Sequence, residues 1–285
     1  MPSESRDAAL IEEFHLTFLQ VLTTALKPNL YVLKGGANLR YFFDSLRYSQ
    51  DIDLDYLGAQ GWRLEEVVDG VLAGPALRMS LRASGLSLVD LSKPKQTETT
   101  RRWKLGLASP RSAGSTPVRT KIEFSARGGD QRHEFVALPD RVVERYGLRS
   151  FSLRSYRLAA MIEQKIGALA NRSETKARDV FDLDLLFRLR AKSGDQEPVS
   201  SEYAEEAALR ALDLPDESFK SEVLPFLEPE IAELYAAPDT WEKMRTFVSG
   251  KVEALGPLSD GPPPSDLAFK GPRTPGFRVR DGLKR

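Results

Sequence analysis

The segment that most constrains the fold is residues 51–56, which read Asp-Ile-Asp-Leu-Asp-Tyr. Acidic and apolar side chains alternate there without exception, and a period of two predicts a β-strand. The apolar face of such a strand must be buried, so the segment is predicted to belong to a sheet. The three carboxylates on the other face repel one another unless a cation holds them, although a solvated strand face would also tolerate them.

The composition removes several classes of chemistry. The 285 residues include no cysteine and only two histidines, His15 and His133, which we interpret as structural. Disulfides, thiolate metal sites and most Ser–His or Cys–His catalysis are therefore not expected, and the absence of cysteine suits a reducing compartment. The start is polar and no apolar run reaches the ~18 residues that a membrane span needs, so we expect a cytoplasmic protein without membrane association.

The charge is balanced in total but not along the chain. There are 41 basic and 41 acidic residues, yet residues 93–149 carry 13 basic against 6 acidic, and residues 197–233 carry 2 against 11. These segments are either two solvated surfaces, or a basic part that holds an anionic substrate and an acidic part that meets a partner. The charge alone does not decide between the two.

The hydrophobic periodicity predicts an α+β fold: an N-terminal α/β domain over residues 1–150 and a helical domain over 151–255. Strands are predicted at 31–33, 51–56 and in several pieces over 76–125, the clearest at 118–124, with 91–100 as loop or strand edge. Helices are predicted at 6–27, 37–43, 62–73, 156–170, 177–190, 202–212, 219–235 and 239–253. Residues 256–285, which hold 6 of the 18 prolines, are predicted to be a disordered basic Pro/Gly-rich tail.

A glycine pair lies between the first predicted strand and the helix that follows. Lys34-Gly35-Gly36 would form a strand-to-helix turn, and a helix N-terminus approached closely by backbone is an anion site. Most Gly-Gly pairs are only turns, but here Asp51 and Asp53 follow within a short distance. An anion cradle beside an oxygen-only acidic strand suits a triphosphate and Mg²⁺ or Mn²⁺.

Further charged residues lie at spacings that could complete such a site. Alternation in the 118–124 strand would place Glu123 beside Asp51 and Asp53 if the two strands are neighbours, although it could equally be an ordinary surface residue. Asp179 and Asp182 share one helical face. Lys165 could reach a phosphate with these acids orienting it, or could simply form a salt bridge to them.

Three stretches of the sequence carry a family resemblance: residues 33–40 (Leu-Lys-Gly-Gly-Ala-Asn-Leu-Arg), residues 47–55 (Arg-Tyr-Ser-Gln-Asp-Ile-Asp-Leu-Asp), and the later Glu163-Gln164-Lys165, Arg172 and 178–183 (Arg-Asp-Val-Phe-Asp-Leu). In this order they resemble AbiEii/AbiGii-type nucleotidyltransferase toxins of the polymerase-β-like nucleotidyltransferase superfamily. The resemblance covers roughly residues 10–190. It implies a small mixed sheet with flanking helices that carries the carboxylates, and a C-terminal helical lobe that closes over the nucleotide.

The resemblance also implies roles for individual residues. It assigns catalysis to Asp51, Asp53, Lys165 and Asp182, nucleotide binding to Lys34, Gly35, Gly36, Arg47, Ser49 and Asp179, and metal binding to Asp51, Asp53 and Glu123. Two features depart from the superfamily pattern: 14 residues separate Gly36 from Asp51, and the third strand carries Glu rather than Asp. Ser49 could alternatively be a modification site or a residue that stabilises a turn.

The resemblance further implies transfer of a nucleotidyl group from an NTP by the toxin of a toxin–antitoxin or abortive-infection system, with a cognate antitoxin. Together with the acidic strand, this gives metal-dependent transfer to an acceptor hydroxyl as the expected function. A tRNA 3′ end is the first candidate acceptor and a protein hydroxyl the second. Arg101, Arg102 and Lys104 could pair with RNA phosphates, and Trp103 could stack on a base or pack in the core. The alternatives are a non-catalytic nucleotide-fold binding module acting through a protein partner, and a metal-dependent nuclease.

Overall fold

The computed structural model describes residues 3–112, 116–126 and 131–255. The predicted disordered tail, residues 256–285, lies outside the described residues. Among the helices that are described, none is long and apolar enough to cross a membrane.

Seven strands and eleven α-helices make up the described chain. The strands are β1 (Tyr31–Lys34), β2 (Asp51–Tyr56), β3 (Ser87–Gln96), β4 (Thr100–Ala108), β5 (Val118–Ser125), β6 (His133–Ala137) and β7 (Ser152–Tyr156). The helices are α1 (Ser3–Ala25), α2 (Gly35–Phe42), α3 (Gly61–Ala73), α4 (Pro75–Ala83), α5 (Asp140–Arg145), α6 (Leu158–Asn171), α7 (Ala177–Ser193), α8 (Ala204–Asp213), α9 (Asp216–Glu222), α10 (Pro229–Tyr235) and α11 (Thr240–Glu253).

The strands form one mixed sheet in the order β3-β4-β5-β2-β1-β7-β6. Strand β2 pairs with β1 in antiparallel and with β5 in parallel orientation, so the acidic strand lies at the centre of the sheet. Its burial alternates as the sequence predicts, with Ile52 and Leu54 fully buried. The predicted α+β fold with a small mixed sheet and a C-terminal helical part is confirmed.

Two hydrophobic clusters lie on opposite sides of this sheet. The first joins the apolar face of β2 to α1, α3 and α4, and includes Phe14, Leu33 and Leu54. The second joins Val32 of β1 to the helices after residue 157, and includes Ile162. Neighbouring residues of β1 thus point into different cores, as alternation along a strand requires. The acidic face of β2 lies on the side of the second cluster.

Several elements of the structure differ from the prediction. Residues 75–83, expected within a strand region, form α4, because Pro75 starts a helix and Leu77 and Leu81 lie one turn apart on its buried side. The polar segment expected to be loop or strand edge is the edge strand β3. The predicted helix 219–235 is divided into α9, a 3₁₀ turn (Leu224–Phe226) and α10, because Pro225 and Pro229 cannot continue a helix. Strand β7 was not predicted and extends the sheet past residue 150.

Candidate active site

A cavity of about 620 Å³ lies between the acidic face of the sheet and helices α6 and α7. Its lining includes side chains from β1, β2, β4, β5, α6 and α7 and the first residues of α2. Most residues predicted for the site line it: Lys34, Gly35, Gly36, Arg47, Ser49, Asp51, Asp53, Glu123 and Lys165. The lining residues without a predicted role include Lys121, Tyr156, Gln164, Arg172 and Arg178, and Arg102, expected to pair with RNA phosphates, also lines the cavity.

The floor of the cavity is formed by β2 and β5. The parallel register places Asp51 opposite Lys121, and Asp53 opposite Glu123. The structure therefore confirms that a neighbouring strand brings Glu123 next to Asp51 and Asp53. Alternation along β5 puts Lys121 on the same face as Glu123, but the sequence does not indicate that this lysine belongs to the site.

The Lys121 ammonium lies among the three carboxylates. Its Nζ is 3.1 Å from Asp51 Oδ2, 4.0 Å from Asp53 Oδ1 and 3.8 Å from Glu123 Oε2. Burial raises the pKa of the Asp53 carboxyl above its usual value, and Lys121 opposes that shift. Lys121 thus supplies positive charge at this point of the sheet.

Glu123 is less available than the two aspartates. Arg102 Nε on β4 donates a 2.6 Å hydrogen bond to Glu123 Oε2. Over the described part of the chain, no group of three or more acidic or histidine side chains is arranged to hold a metal ion. The predicted three-carboxylate set is therefore not assembled here. The oxygen donors of Asp51 and Asp53, with Lys121 in the place of a cation, do fit a hard divalent ion.

The third acidic residue of β2, Asp55, binds neighbouring side chains. Asp55 accepts hydrogen bonds from Lys34 Nζ at 2.5 Å and from the Tyr156 hydroxyl at 2.7 Å. Both its oxygens are thereby engaged, and Lys34 is held at the wall of the cavity. Tyr156 is the last residue of β7, the strand that the sequence did not predict.

The glycine pair forms the strand-to-helix turn that the sequence predicts. Gly35 begins α2 with φ of +68°, a left-handed conformation that favours glycine. A Cβ on Gly36 would lie 2.8 Å from Ser49 Oγ, so only glycine fits without displacing that side chain. No side chain caps the first turn of α2, and its backbone N–H groups are left for an anion.

A buried ionic network lies behind the cavity. Lys165 Nζ is 3.0 Å from Asp179 Oδ1 and 2.6 Å from Asp182 Oδ2, and both aspartates are fully buried. Arg47 Nη2 lies 3.0 Å from Asp182, and Arg172 Nε lies 3.2 Å from Asp179. Burial would raise the pKa of Asp182, but Arg47 and Lys165 outweigh it and hold that pKa below its usual value. The two aspartates do not line the cavity; they hold the cations that do.

Residues 47–49 connect this network to the acidic strand β2. Arg47 Nη1 donates to the Tyr48 carbonyl at 3.0 Å, and Ser49 Oγ donates to the Asp51 carbonyl at 2.8 Å. The Tyr48 backbone N–H donates to Phe226 of the helical part at 2.9 Å. Ser49 thus stabilises the entry to β2 as well as lining the cavity.

The residues expected to contact RNA lie on both faces of β4. Trp103 is fully buried and its Nε1 donates to Asp69 at 2.8 Å, so it packs in the core and does not stack on a base. Arg101 Nη1 is bound to Glu65 at 2.9 Å on that same side. Arg102 points toward the cavity, and Lys104 opposes Lys121 across the strand pair.

The model of one protein family matches the chain over residues 17–269: the nucleotidyl transferase AbiEii toxin, type IV toxin–antitoxin system. The chain belongs to this AbiEii family. The expected resemblance and the expected nucleotidyltransferase class are confirmed by this match, which covers both the sheet and the helical part.

Two solved structures share the fold of this AbiEii-family chain. One is a candidate nucleotidyltransferase from H. pylori, with a TM-score of 0.51 and 20% identity, covering 85% of this chain and 96% of its own. The other is JHP933 from Helicobacter pylori, with a TM-score of 0.51 and 20% identity, covering 87% and 94%. No curated protein matches the chain.

Proposed function

We propose that this AbiEii-family nucleotidyltransferase uses Asp51 and Asp53 to hold Mg²⁺ or Mn²⁺ and transfers a nucleotidyl group from an NTP to an RNA hydroxyl, with a tRNA 3′ end as the preferred acceptor. The observation that carries the proposal is the juxtaposition in one cavity of the Asp-x-Asp strand and the uncapped N-terminus of α2. A divalent cation would neutralise the triphosphate and stabilise the entering and leaving oxygens.

The remaining residues act on the phosphates and on each other. Backbone N–H groups at Gly35 and Gly36 bind the triphosphate, and Lys165 and Arg47 bear part of the charge of the leaving pyrophosphate. Asp179 and Asp182 are positioning residues, because they contact Lys165 and Arg47 rather than the cavity. This refines the catalytic role expected for Asp182. Catalysis by positioning and charge stabilisation needs no histidine base.

The site lies between two parts of the chain, which we propose to be separate domains that meet between β7 and α6, near residue 157 rather than at the expected residue 150. Strand β7 would be the last element of the sheet domain, and α6 the first of the helical domain. The family name supports a further proposal, that a cognate antitoxin counteracts the activity.

The test is incubation with each of the four α-³²P-labelled NTPs, Mg²⁺ and whole-cell RNA. We expect one RNA size class to be labelled at its 3′ end, and Asp53→Asn to lower labelling by at least about 100-fold while the melting temperature stays near that of the wild type. Asp213→Asn, at an exposed position at the end of α8, is the matched control and retains full labelling. Equal labelling by the Asp53 variant contradicts the catalytic site, and label on protein alone contradicts the RNA acceptor.

A further inference from the structure

The floor of the cavity continues beyond β5 as an open sheet face. Lys121 on β5 opposes Lys104 on β4, and Arg102 on β4 opposes Lys95 on β3. Side chains of opposed residues project from the same face of a sheet. Because Lys121 opposes Asp51 on its other side, all four cations project from the face that carries the catalytic carboxylates.

This face is open to solvent. Lys104 and Ser92, which oppose each other on β4 and β3, are both exposed. The other face of β4 is closed, since Trp103 and Leu105 are fully buried in the first hydrophobic cluster. Strands β4 and β5 therefore present one covered face and one accessible face, and the accessible face adjoins the cavity.

The charge on this face is positive and incompletely neutralised. Its two acids, Asp90 and Glu123, are paired with Arg119 and Arg102. Within the described ranges, Lys95 and Lys104 have no ion-pair partner. The chain has equal numbers of acidic and basic residues. Unpaired lysines on a surface next to the active site nevertheless create a local positive electrostatic potential.

We propose that this face, the β3–β5 face, binds the phosphate backbone of the RNA acceptor and leads its reactive end to Asp51 and Asp53. The inference rests on the proposed function and adds the acceptor-binding surface to it. From β2 to β3 there are three strand spacings, about 14 Å, which suits the last few nucleotides of a single strand.

The chemistry of this face also specifies the mode of binding. The described strands present no aromatic side chain on it, because Trp103 and Phe124 are buried on the opposite face. Bases therefore have no stacking platform here, and lysine contacts to phosphates carry no sequence information. Binding at this face is salt-dependent and independent of sequence, so selectivity among RNAs must arise elsewhere.

The experiment measures binding of fluorescein-labelled single-stranded RNA to the full chain by anisotropy, over a range of KCl concentrations. Lys95→Glu/Lys104→Glu is expected to weaken binding by about 10- to 100-fold and to reduce the slope of log K against log[salt] by about 2. Two RNAs of unrelated sequence should be affected equally. The matched control is Arg63→Glu/Arg82→Glu, which reverses two exposed charges on α3 and α4, behind the opposite face, and should leave affinity unchanged.

NTP and Mn²⁺ binding, measured by calorimetry on the same preparations, separates this inference from the proposed function. Retained NTP binding with lost RNA binding in the Lys95/Lys104 variant supports the inference. Unchanged RNA affinity in that variant overturns it and leaves the nucleotidyltransferase proposal intact. RNA binding that is undetectable in the wild type, or an acidic peptide that binds the same lysines more tightly than RNA, also overturns it. Absence of NTP binding in the wild type overturns the proposed function itself.

Discussion

At the residue scale, a fully buried histidine supports the entry to the acidic strand. His15 on α1 is fully buried, its Nε2 lies 2.7 Å from Thr120 Oγ1, and that hydroxyl donates to the Gln50 carbonyl at 2.8 Å. This chain of hydrogen bonds reaches the residue before Asp51 and fixes where β2 begins relative to β5. Burial lowers the pKa of His15 from 6.5 to about 3, so the imidazole stays neutral in the folded state.

This shift predicts a pH dependence of stability. As pH falls below 6.5 the unfolded chain binds a proton at His15 and the folded chain does not, so stability is lost from pH 6.5 down to about 3. His15→Gln keeps a donor to Thr120 but cannot titrate, and should remove about 2 kcal/mol of the loss between pH 6.5 and 5. Urea denaturation at several pH values measures this. Thr120→Val is expected to lower stability equally at each pH, and parallel profiles for wild type and His15→Gln would contradict the assignment.

A second prediction concerns the ammonium among the carboxylates. Because Lys121 Nζ lies 3.1 Å from Asp51 Oδ2, it occupies space and charge that a divalent cation must displace. Lys121→Met should therefore tighten Mn²⁺ binding by about tenfold, equivalent to about 1.4 kcal/mol. Calorimetric titration with MnCl₂ measures the change, with Lys104→Met as a control that leaves affinity unchanged. Weaker or equal Mn²⁺ binding by the Lys121 variant would show that the lysine does not compete with the metal.

At the element scale, the turn between β1 and α2 has a conformation that its sequence dictates. The left-handed Gly35 places the start of α2 against Asp53, and an added Cβ would lie 3.1 Å from Asp53 Oδ2. Gly35→Ala should lower the free energy of unfolding by about 1–2 kcal/mol. Gly167→Ala within α6, where a Cβ meets nothing within 4 Å, should raise it by about 0.5–1 kcal/mol. Urea denaturation of both variants tests the pair, and changes of the same sign would contradict it.

The elements that the sequence predicts well are those with an unambiguous period. Alternation identified β2 and the face of Glu123, and the spacing of apolar residues identified α6 and α7. Strand β7 was not predicted, because its five residues, Ser-Leu-Arg-Ser-Tyr, do not alternate cleanly between apolar and polar side chains. Helix α4 escaped because its nine residues are short of the length at which a helical period is distinct from a strand.

The candidate site, like the fold, could be predicted only where a local sequence pattern encodes it. The Asp-x-Asp pair, the glycine turn and the proximity of Glu123 follow from local patterns and could be predicted. The contacts of Arg47 with Asp182 and of Tyr48 with Glu228 join residues 135 and 180 positions apart, and no local pattern encodes them. The engagement of Glu123 by Arg102 likewise depends on a strand order that the sequence leaves open.

At the scale of the whole molecule, a polar cluster joins the helical part to the sheet. The Tyr48 hydroxyl is bonded to Glu228 at the start of α10, and Arg145 on α5 lies 2.7 Å from that hydroxyl and 2.8 Å from Glu228. Burial alone would raise the pKa of Glu228, but the bonds from Tyr48 and Arg145 hold it below its usual value. The loop before Asp51 is thus held by α5 and by the start of α10.

This cluster predicts strong coupling between distant residues. In a double-mutant cycle, Tyr48→Phe and Glu228→Gln should be non-additive by about 1–2 kcal/mol in unfolding free energy, because both remove the same partly buried contact. A double-mutant cycle at the exposed Glu206–Arg210 pair of α8 should give a non-additivity of about 0.5 kcal/mol or less in unfolding free energy. Additive effects at Tyr48 and Glu228 would mean that the cluster does not link the two parts.

The decisive measurement is the position of a metal and a nucleotide in crystals grown with MnCl₂ and a non-hydrolysable NTP analogue. We predict an anomalous manganese peak at about 2.0–2.3 Å from carboxylate oxygens of both Asp51 and Asp53. The triphosphate should lie against the Gly35 and Gly36 backbone, with the Lys121 ammonium moved away. Manganese bound elsewhere, or a nucleotide outside this cavity, would contradict the central claim.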